Sequence, residues 1–340
     1  MKVLVFSTRP YDKEYLEKAN RGVHELQYYE TRLERRTAEL ARGFPAVCCF
    51  VDDELDAPVL RQLSRGGTKL ITLRSTGFNN LNLEVAEELG LTVMRVSQYS
   101  PYAVAEFATG MILALSRKIH RAYNRVREGN FLLDGLLGFD IHGKTIGIVG
   151  TGRIGSVLAQ IMHGFGCRLL GHDVNQNKTC LELGMNYVSL HELLTQSDIV
   201  SLHTPLTPQT RHLINRNTLS LMKPGAMLIN TSRGALVDTK ALVSALEMHR
   251  LSAVGMDVYE EESHIYYQDL SEQIISDDVI TRLTTFPNVL VTGHQAFFTY
   301  EALTMITETT IQNVSDFGAG LTNGNIVETK KMVRKAPKKR

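Results

Sequence analysis

Short, largely apolar runs of five to seven residues recur along the chain, separated by stretches whose apolar positions fall every three or four residues. In the first hundred residues the runs lie at 3–7, 26–30, 46–51, 70–74 and 92–96. They are apolar at nearly every position rather than at alternate ones, which is the pattern of strands buried on both faces. Strand and helix patterns alternate, so the reading is a parallel sheet with helices on both sides. A second series of runs lies at 145–150, 168–173, 199–203, 226–231, 253–259 and 289–294. Six strands with helices between them predict a second, complete doubly wound domain.

Between the two series Ser100-Pro101 opens the longest helical pattern, predicted over 101–128. Its first half is apolar on most sides and reads as core shared with a subunit interface. Its second half carries Arg117, Lys118, His120, Arg121, Arg125 and Arg127 and reads as a solvated or interface face. A last helical pattern, 301–317, is too isolated to form a domain. The simplest arrangement returns it to the N-terminal sheet. The first domain is then discontinuous, 1–100 with 297–329, the second is 101–296, and two chain crossings near 100 and 296 act as a hinge. Residues 330–340 hold seven Lys or Arg with almost no apolar surface, and are expected to be a disordered basic tail.

The run at 145–150 continues into Gly150-Thr151-Gly152-Arg153-Ile154-Gly155, then an amphipathic stretch, then a second apolar run that ends in Asp173, 18 residues after Gly155. Strand, G-x-G-x-x-G turn, helix, strand and carboxylate is the dinucleotide fingerprint in its full context. Gly150 permits the tight turn, Gly152 the approach of a pyrophosphate, and Gly155 close packing of helix on strand. The helix N-terminus offers unpaired N–H groups to the phosphates. Asp173 can accept from both ribose hydroxyls and would repel a 2′-phosphate. Val174-Asn175-Gln176-Asn177 supplies no compensating cation, so NAD is expected rather than NADP.

Composition narrows the class further. The 340 residues carry a net charge of +1, so there is no global electrostatic case for nucleic acid. No apolar run approaches the ~20 residues that span a bilayer, and the short N-terminal run does not read as a signal peptide. The four cysteines show no metal-binding spacing, so no metal is expected. Cys48 and Cys49 sit inside a strand as core thiols, which suits a reducing, cytoplasmic setting.

Three polar residues lie at or beyond strand ends of the second domain: Arg233, Glu262 and His294. Ligands of doubly wound sheets bind at the carboxyl ends of strands, where the nicotinamide would lie. Hydride transfer to a carbonyl needs a proton donor for the developing alkoxide, and histidine titrates in the right range. A neighbouring carboxylate keeps an imidazole charged. An arginine fork holds a substrate carboxylate and polarises its carbonyl. Each residue alone has a plainer reading, as a satisfied structural histidine, one member of a solvated acidic run, or a helix or phosphate partner. His203, also at a strand end, reads as a wall of the cofactor pocket.

The fingerprint, Asn230-Thr-Ser-Arg-Gly-Ala-Leu-Val-Asp238, Gly255-Met-Asp-Val-Tyr259 and Gly293-His-Gln-Ala-Phe297 together resemble the D-isomer-specific 2-hydroxyacid dehydrogenases. Within that family Arg74-Ser-Thr-Gly-Phe-Asn-Asn80 and Ile119-His-Arg-Ala-Tyr-Asn-Arg125 are most similar to the fermentative D-lactate enzymes. The resemblance runs from residue 1 to about 327 and leaves out the basic tail. It implies two doubly wound parallel-sheet domains, a Rossmann cofactor domain inserted in a flavodoxin-like substrate domain. It implies NAD-dependent reduction of pyruvate, with Arg233 on the 2-oxoacid, His294 as acid/base and Glu262 tuning it. Thr76 and Gly77 would offer N–H groups to the substrate carboxylate, and Tyr99 would touch substrate. The cofactor contacts would be Arg153, Ile154, Asp173, Thr204, Pro205, Thr210, Thr231, Ser232 and Asp257. Homodimers through the long helix, or homotetramers, are implied as well. The chain departs from the family pattern at Ser97-Gln98, where Pro-Ala is usual, and at Phe107, where lactate members often carry His. A bulkier 2-oxoacid, and an NAD-sensing corepressor of the C-terminal-binding-protein type, stand as alternatives.

Overall fold

The computed structural model describes residues 1–329; the basic tail lies outside them. The chain divides into two compact units, one made of Met1–Ser100 with the chain from Thr299 onward, the other of Pro101–Phe298.

The first unit is a five-stranded parallel sheet of β1 (Lys2–Val5), β2 (Glu25–Tyr28), β3 (Ala46–Cys49), β4 (Leu70–Leu73) and β5 (Thr92–Arg95), in the order β2-β1-β3-β4-β5. Successive side chains of a strand point to opposite faces. Val3, Val5, Ala46, Cys48, Leu70 and Met94 therefore pack to one side, with Leu16 and with Ile311 and Val314. Leu4, Phe6, Val47, Cys49, Ile71, Leu73 and Val93 pack to the other, against Val59, Leu60 and Leu63. The first side is covered by the Pro10–Asn20 and Tyr300–Gly318 helices, the second by Ala57–Arg65 and Leu83–Glu88. The returning chain is also stitched to the sheet edge, where Val327 N donates to Val93 O at 2.9 Å and Arg95 N to Asn325 O at 3.0 Å.

The second unit holds β6 (Thr145–Val149), β7 (Arg168–His172), β8 (Asn186–Tyr187), β9 (Ile199–Leu202), β10 (Ala226–Asn230), β11 (Leu251–Met256) and β12 (Val289–Val291), in the order β12-β11-β10-β9-β6-β7-β8. All its pairings are parallel. Seven strands stand where six were expected; β8 has two residues and leaves no periodic trace in the sequence. The expected strands also overrun their ends by one to three residues.

The long helix is not continuous. It runs Pro101–Ser116, breaks, and restarts as Ile119–Arg127, with Lys118 in the left-handed region at φ 53°. The Ser116 carbonyl accepts from Phe139 N at 3.1 Å and Lys118 Nζ donates to Gly135 O at 2.8 Å, so the chain folding back beside the helix takes over at the break. Packing explains the difference between the halves. Ala105, Ala108, Met111, Ile112 and Leu115 enter the core beside Ile146, Ile148 and Leu158, whereas no residue of Ile119–Arg127 is buried. Among the described residues no helix is long and apolar enough to cross a membrane.

Candidate functional site

The strand order of the second unit reverses between β6 and β9, which opens a crevice at their carboxyl ends. Gly150 ends β6 at φ 92°, and a Cβ there would stand 2.6 Å from the His203 carbonyl carbon. A Cβ on Gly155 would reach the Gly150 oxygen at 2.0 Å. Neither position admits a side chain, so the turn is drawn tight between β6 and the Arg153–Gly164 helix that Gly152 caps. Around Gly152 itself the space is open within 4 Å of where a Cβ would point. With Arg153 and Ile154 in the first helical turn, this is a cradle that a pyrophosphate can enter, facing N–H groups and the positive helix end.

Asp173 follows β7 and remains part exposed. Its Oδ2 accepts from Thr151 N at 2.7 Å and from Thr151 Oγ1 at 3.4 Å, and its Oδ1 from Asn175 N at 3.0 Å, which leaves Oδ1 a further lone pair. The opposite wall is built from the turn after β9. His203 Nε2 lies 2.8 Å from Ser201 Oγ, and burial holds its imidazole down at about 4, so it is neutral at physiological pH. Thr204 O accepts from Ser232 Oγ at 2.7 Å, and Pro205 O accepts from Thr210 Oγ1 at 2.7 Å. The hydroxyl of Thr231 is buried without a partner among the described residues. An orphaned hydroxyl, an open glycine cradle and a part-exposed carboxylate with a spare lone pair fit a dinucleotide.

Arg233, Glu262 and His294 stand on turns after β10, β11 and β12. Asn230 closes the first of these, donating from Nδ2 to Arg233 O at 2.9 Å and accepting from Ser232 N at 3.1 Å. Arg233 Nη1 donates to Ser232 O at 2.6 Å, which fixes the direction of the guanidinium. Glu262 accepts from Tyr259 N at 3.0 Å through Oε2, and its Oε1 lies 2.9 Å from His294 Nδ1. The Glu262 and His294 side chains are 24% and 15% exposed, so the pair is shielded and still reachable. Burial alone would raise the Glu262 carboxyl. The hydrogen bond and charge of His294, the Tyr259 N–H and the charge of Arg233 outweigh it and hold the group below the ordinary carboxylate range.

His294 lies three residues beyond β12 rather than at its end, in the left-handed region at φ 52°. Such a conformation costs a non-glycine residue on the order of 1 kcal/mol and persists only where its surroundings impose it. Asp257 imposes it. This residue was expected on the cofactor, yet it is fully buried. Its Oδ1 accepts from Thr292 Oγ1 at 2.6 Å and Gln295 N at 2.9 Å, its Oδ2 from Ala296 N at 2.8 Å, and its carbonyl from His294 N at 2.7 Å. The carboxylate thus organises the turn that presents the imidazole. Tyr267, whose hydroxyl donates to His294 O at 3.1 Å, and Phe297 set their rings 6.2 and 6.5 Å from the imidazole. Neither the Asp257 clamp nor Tyr267 carries a signal in residue spacing.

In the first unit Thr76 and Gly77 occupy the turn after β4. Their carbonyls accept from Arg95 Nη1 and Ser75 Oγ, both at 2.7 Å. Among the described residues their N–H groups donate to nothing, and so are available to an anion. Tyr99 is half-buried just before the Pro101–Ser116 helix.

Residues 109–296, more than half of the chain, match the family model described as D-isomer specific 2-hydroxyacid dehydrogenase, NAD binding domain. The chain belongs to this dehydrogenase family. It is an oxidoreductase, and NAD is its cofactor. The chain is 53% identical to 2-hydroxyacid dehydrogenase homolog 1 of Schizosaccharomyces pombe over 94% of its own length and 97% of that protein. It is 49% identical to the D-lactate dehydrogenase of Escherichia coli, over 96% and 99% of the two chains. Among solved structures, the D-lactate dehydrogenase of Aquifex aeolicus complexed with NAD and lactic acid superposes with a TM-score of 0.86 at 35% identity, covering 96% of this chain and 98% of that one.

Proposed function

We propose that this dehydrogenase reduces pyruvate to D-lactate with NADH, reversibly. The observation that carries the reading is the 2.9 Å His294–Glu262 pair on the cofactor-binding unit. Glu262 occupies Nδ1 and leaves Nε2 as the nitrogen that can face a substrate. In the reduction the His294 imidazolium gives its Nε2 proton to the carbonyl oxygen as that oxygen becomes a hydroxyl. In the oxidation of D-lactate the same nitrogen takes the proton back. Arg233 grips the carboxylate of the 2-oxoacid with its fork and draws electron density from the carbonyl. NADH, when bound, supplies the hydride; Asp173 accepts the adenosine ribose hydroxyls and the Gly152 cradle takes the pyrophosphate. The choice of pyruvate follows the D-lactate dehydrogenases among the relatives. NADH oxidation measured with a panel of 2-oxoacids tests it: pyruvate is expected to give the highest kcat/KM, and a branched or aromatic 2-oxoacid preferred by about tenfold or more would reassign the substrate.

We also propose a cytoplasmic homo-oligomer. All four cysteines are buried free thiols, in keeping with a reducing compartment. Ile119, Tyr123 and Val126 are exposed on their helix, and the loop after it exposes Phe131, Leu132, Leu133 and Leu137, the last two at 81% and 89%. A run of this size is an interaction surface on a soluble protein. Sedimentation equilibrium is expected to give at least twice the chain mass, and a Leu133→Glu/Leu137→Glu protein to dissociate; a monomeric native protein at micromolar concentration would remove the proposal.

A further inference from the structure

Tyr187 lies on the two-residue β8, paired with Gly171. A Cβ on Gly171 would stand 2.4 Å from Met185 Sδ and 3.2 Å from Tyr187 Cε1, so the absence of a side chain there makes room for both neighbours. The phenol is the centre of a directed chain of hydrogen bonds. Asn177 N donates to the Tyr187 oxygen at 2.8 Å, and the Tyr187 hydroxyl donates to Thr151 Oγ1 at 2.7 Å. Thr151 Oγ1 in turn lies 3.4 Å from Asp173 Oδ2, the atom that also accepts from Thr151 N at 2.7 Å. Asn177 closes the loop by donating from Nδ2 to Thr151 O at 2.9 Å, while its Oδ1 caps the Lys178–Glu182 helix. The middle residue of the glycine turn is therefore held on three sides, by β7 through Asp173, by β8 through Tyr187, and by the helix cap.

We infer that Tyr187 is a positioning residue for cofactor selection. By fixing Thr151, whose N–H and hydroxyl both bond Oδ2, it holds the Asp173 carboxylate in one orientation toward the ribose diol, and so sharpens discrimination against a 2′-phosphate. Two hydrogen bonds from a diol require an acceptor in one orientation, whereas the repulsion of a phosphate requires only negative charge nearby. Loosening the carboxylate weakens the first strongly and the second slightly. This inference rests on the reading of Asp173 as the acceptor for the ribose.

Dissociation constants for NADH and NADPH, titrated without substrate through the fluorescence of the reduced nicotinamide, test it. In Tyr187→Phe the NADH constant is expected to rise about 3–10-fold, because the part-buried hydrogen bonds of the phenol with Asn177 N and Thr151 Oγ1 are both lost, with the NADPH constant unchanged or lower. The preference for NADH then shrinks by about that factor, while kcat at saturating NADH stays within about twofold of wild type. Thr151→Val, which keeps the shape and removes the hydroxyl, is expected to act alike, and Thr151→Ser to restore the wild-type ratio. If Tyr187→Phe does not fold, the two threonine variants decide. Asp173→Ala separates the inference from the reading beneath it. That variant should weaken NADH and narrow the NADH-to-NADPH ratio whatever occupies 187. An unchanged ratio in Asp173→Ala overturns the ribose assignment; a changed ratio there, with unchanged ratios in Tyr187→Phe and Thr151→Val, overturns the role of Tyr187.

Discussion

A His294→Ala protein is expected to lose about 10²–10⁴-fold in kcat for pyruvate, the usual contribution of a general acid, while its NADH dissociation constant stays close to wild type. The asymmetry follows from what each part of the molecule holds. The proposed cofactor site is Gly150, Gly152, Gly155 and Asp173, around the end of β6, whereas the imidazole rests on the Asp257 turn after β12. The substitution removes the proton donor and leaves the glycine turn untouched. Alanine tolerates the left-handed backbone of residue 294 poorly, so the variant tests stability as well as chemistry. His294→Asn separates the two, because asparagine enters that region more readily than other side chains. Both variants should show the same loss of turnover, with His294→Asn melting closer to wild type. Near-native pyruvate reduction by a folded His294→Asn would end the assignment of His294 as the acid.

Arg233→Lys is expected to lower kcat/KM by about 10²–10³-fold although the charge is conserved. A guanidinium meets a carboxylate with two parallel N–H groups and can retain a third bond; an ammonium is a point charge on a flexible stem. Here Nη1 is already committed to Ser232 O at 2.6 Å, and that bond aims the rest of the fork. Lysine can satisfy Ser232 or the substrate with good geometry, not both. Charge contributes separately, since the positive group near Glu262 helps hold that carboxyl low. Because lysine preserves it, the pH profile of kcat/KM should keep its position while its height falls. Equal kinetics for the two proteins would show that Arg233 does not grip the substrate.

The sequence was most transparent where one residue type alone satisfies the backbone. At 150 and 155 any side chain collides with backbone, so the glycines stand in the open, and an acid after the next strand completes the pattern. Strands such as β3 and β4, buried on both faces, were legible for a related reason: every position but Thr72 is apolar. Legibility failed where tertiary contacts decide. Nothing local ends the helix after Ser116, since arginine and lysine are good helix formers; the break comes with the Phe139 bond from a residue far along the chain. Asp257, which the resemblance placed among the cofactor contacts, also has its carboxylate enclosed by the turn it organises, a role that spacing does not reveal. Glu262 and His294 are 32 positions apart, and spacing could nominate them without bringing them within 2.9 Å.

The alternation of side chains in β3 has a consequence for chemistry of a different kind. Cys48 and Cys49 are neighbours in sequence but open onto opposite faces of the sheet, so oxidation cannot join them while the strand exists. Burial raises both thiols above the ordinary range, Cys48 to about 11, and suppresses the reactive thiolate. Cys167 and Cys180, on the other unit, are likewise buried and raised. Each unit thereby carries two silent thiols that react with an alkylating reagent only when that unit opens. The protein contains its own pair of clocks: the order in which the four sites take up label reports which unit breathes first, and whether cofactor slows one of them alone.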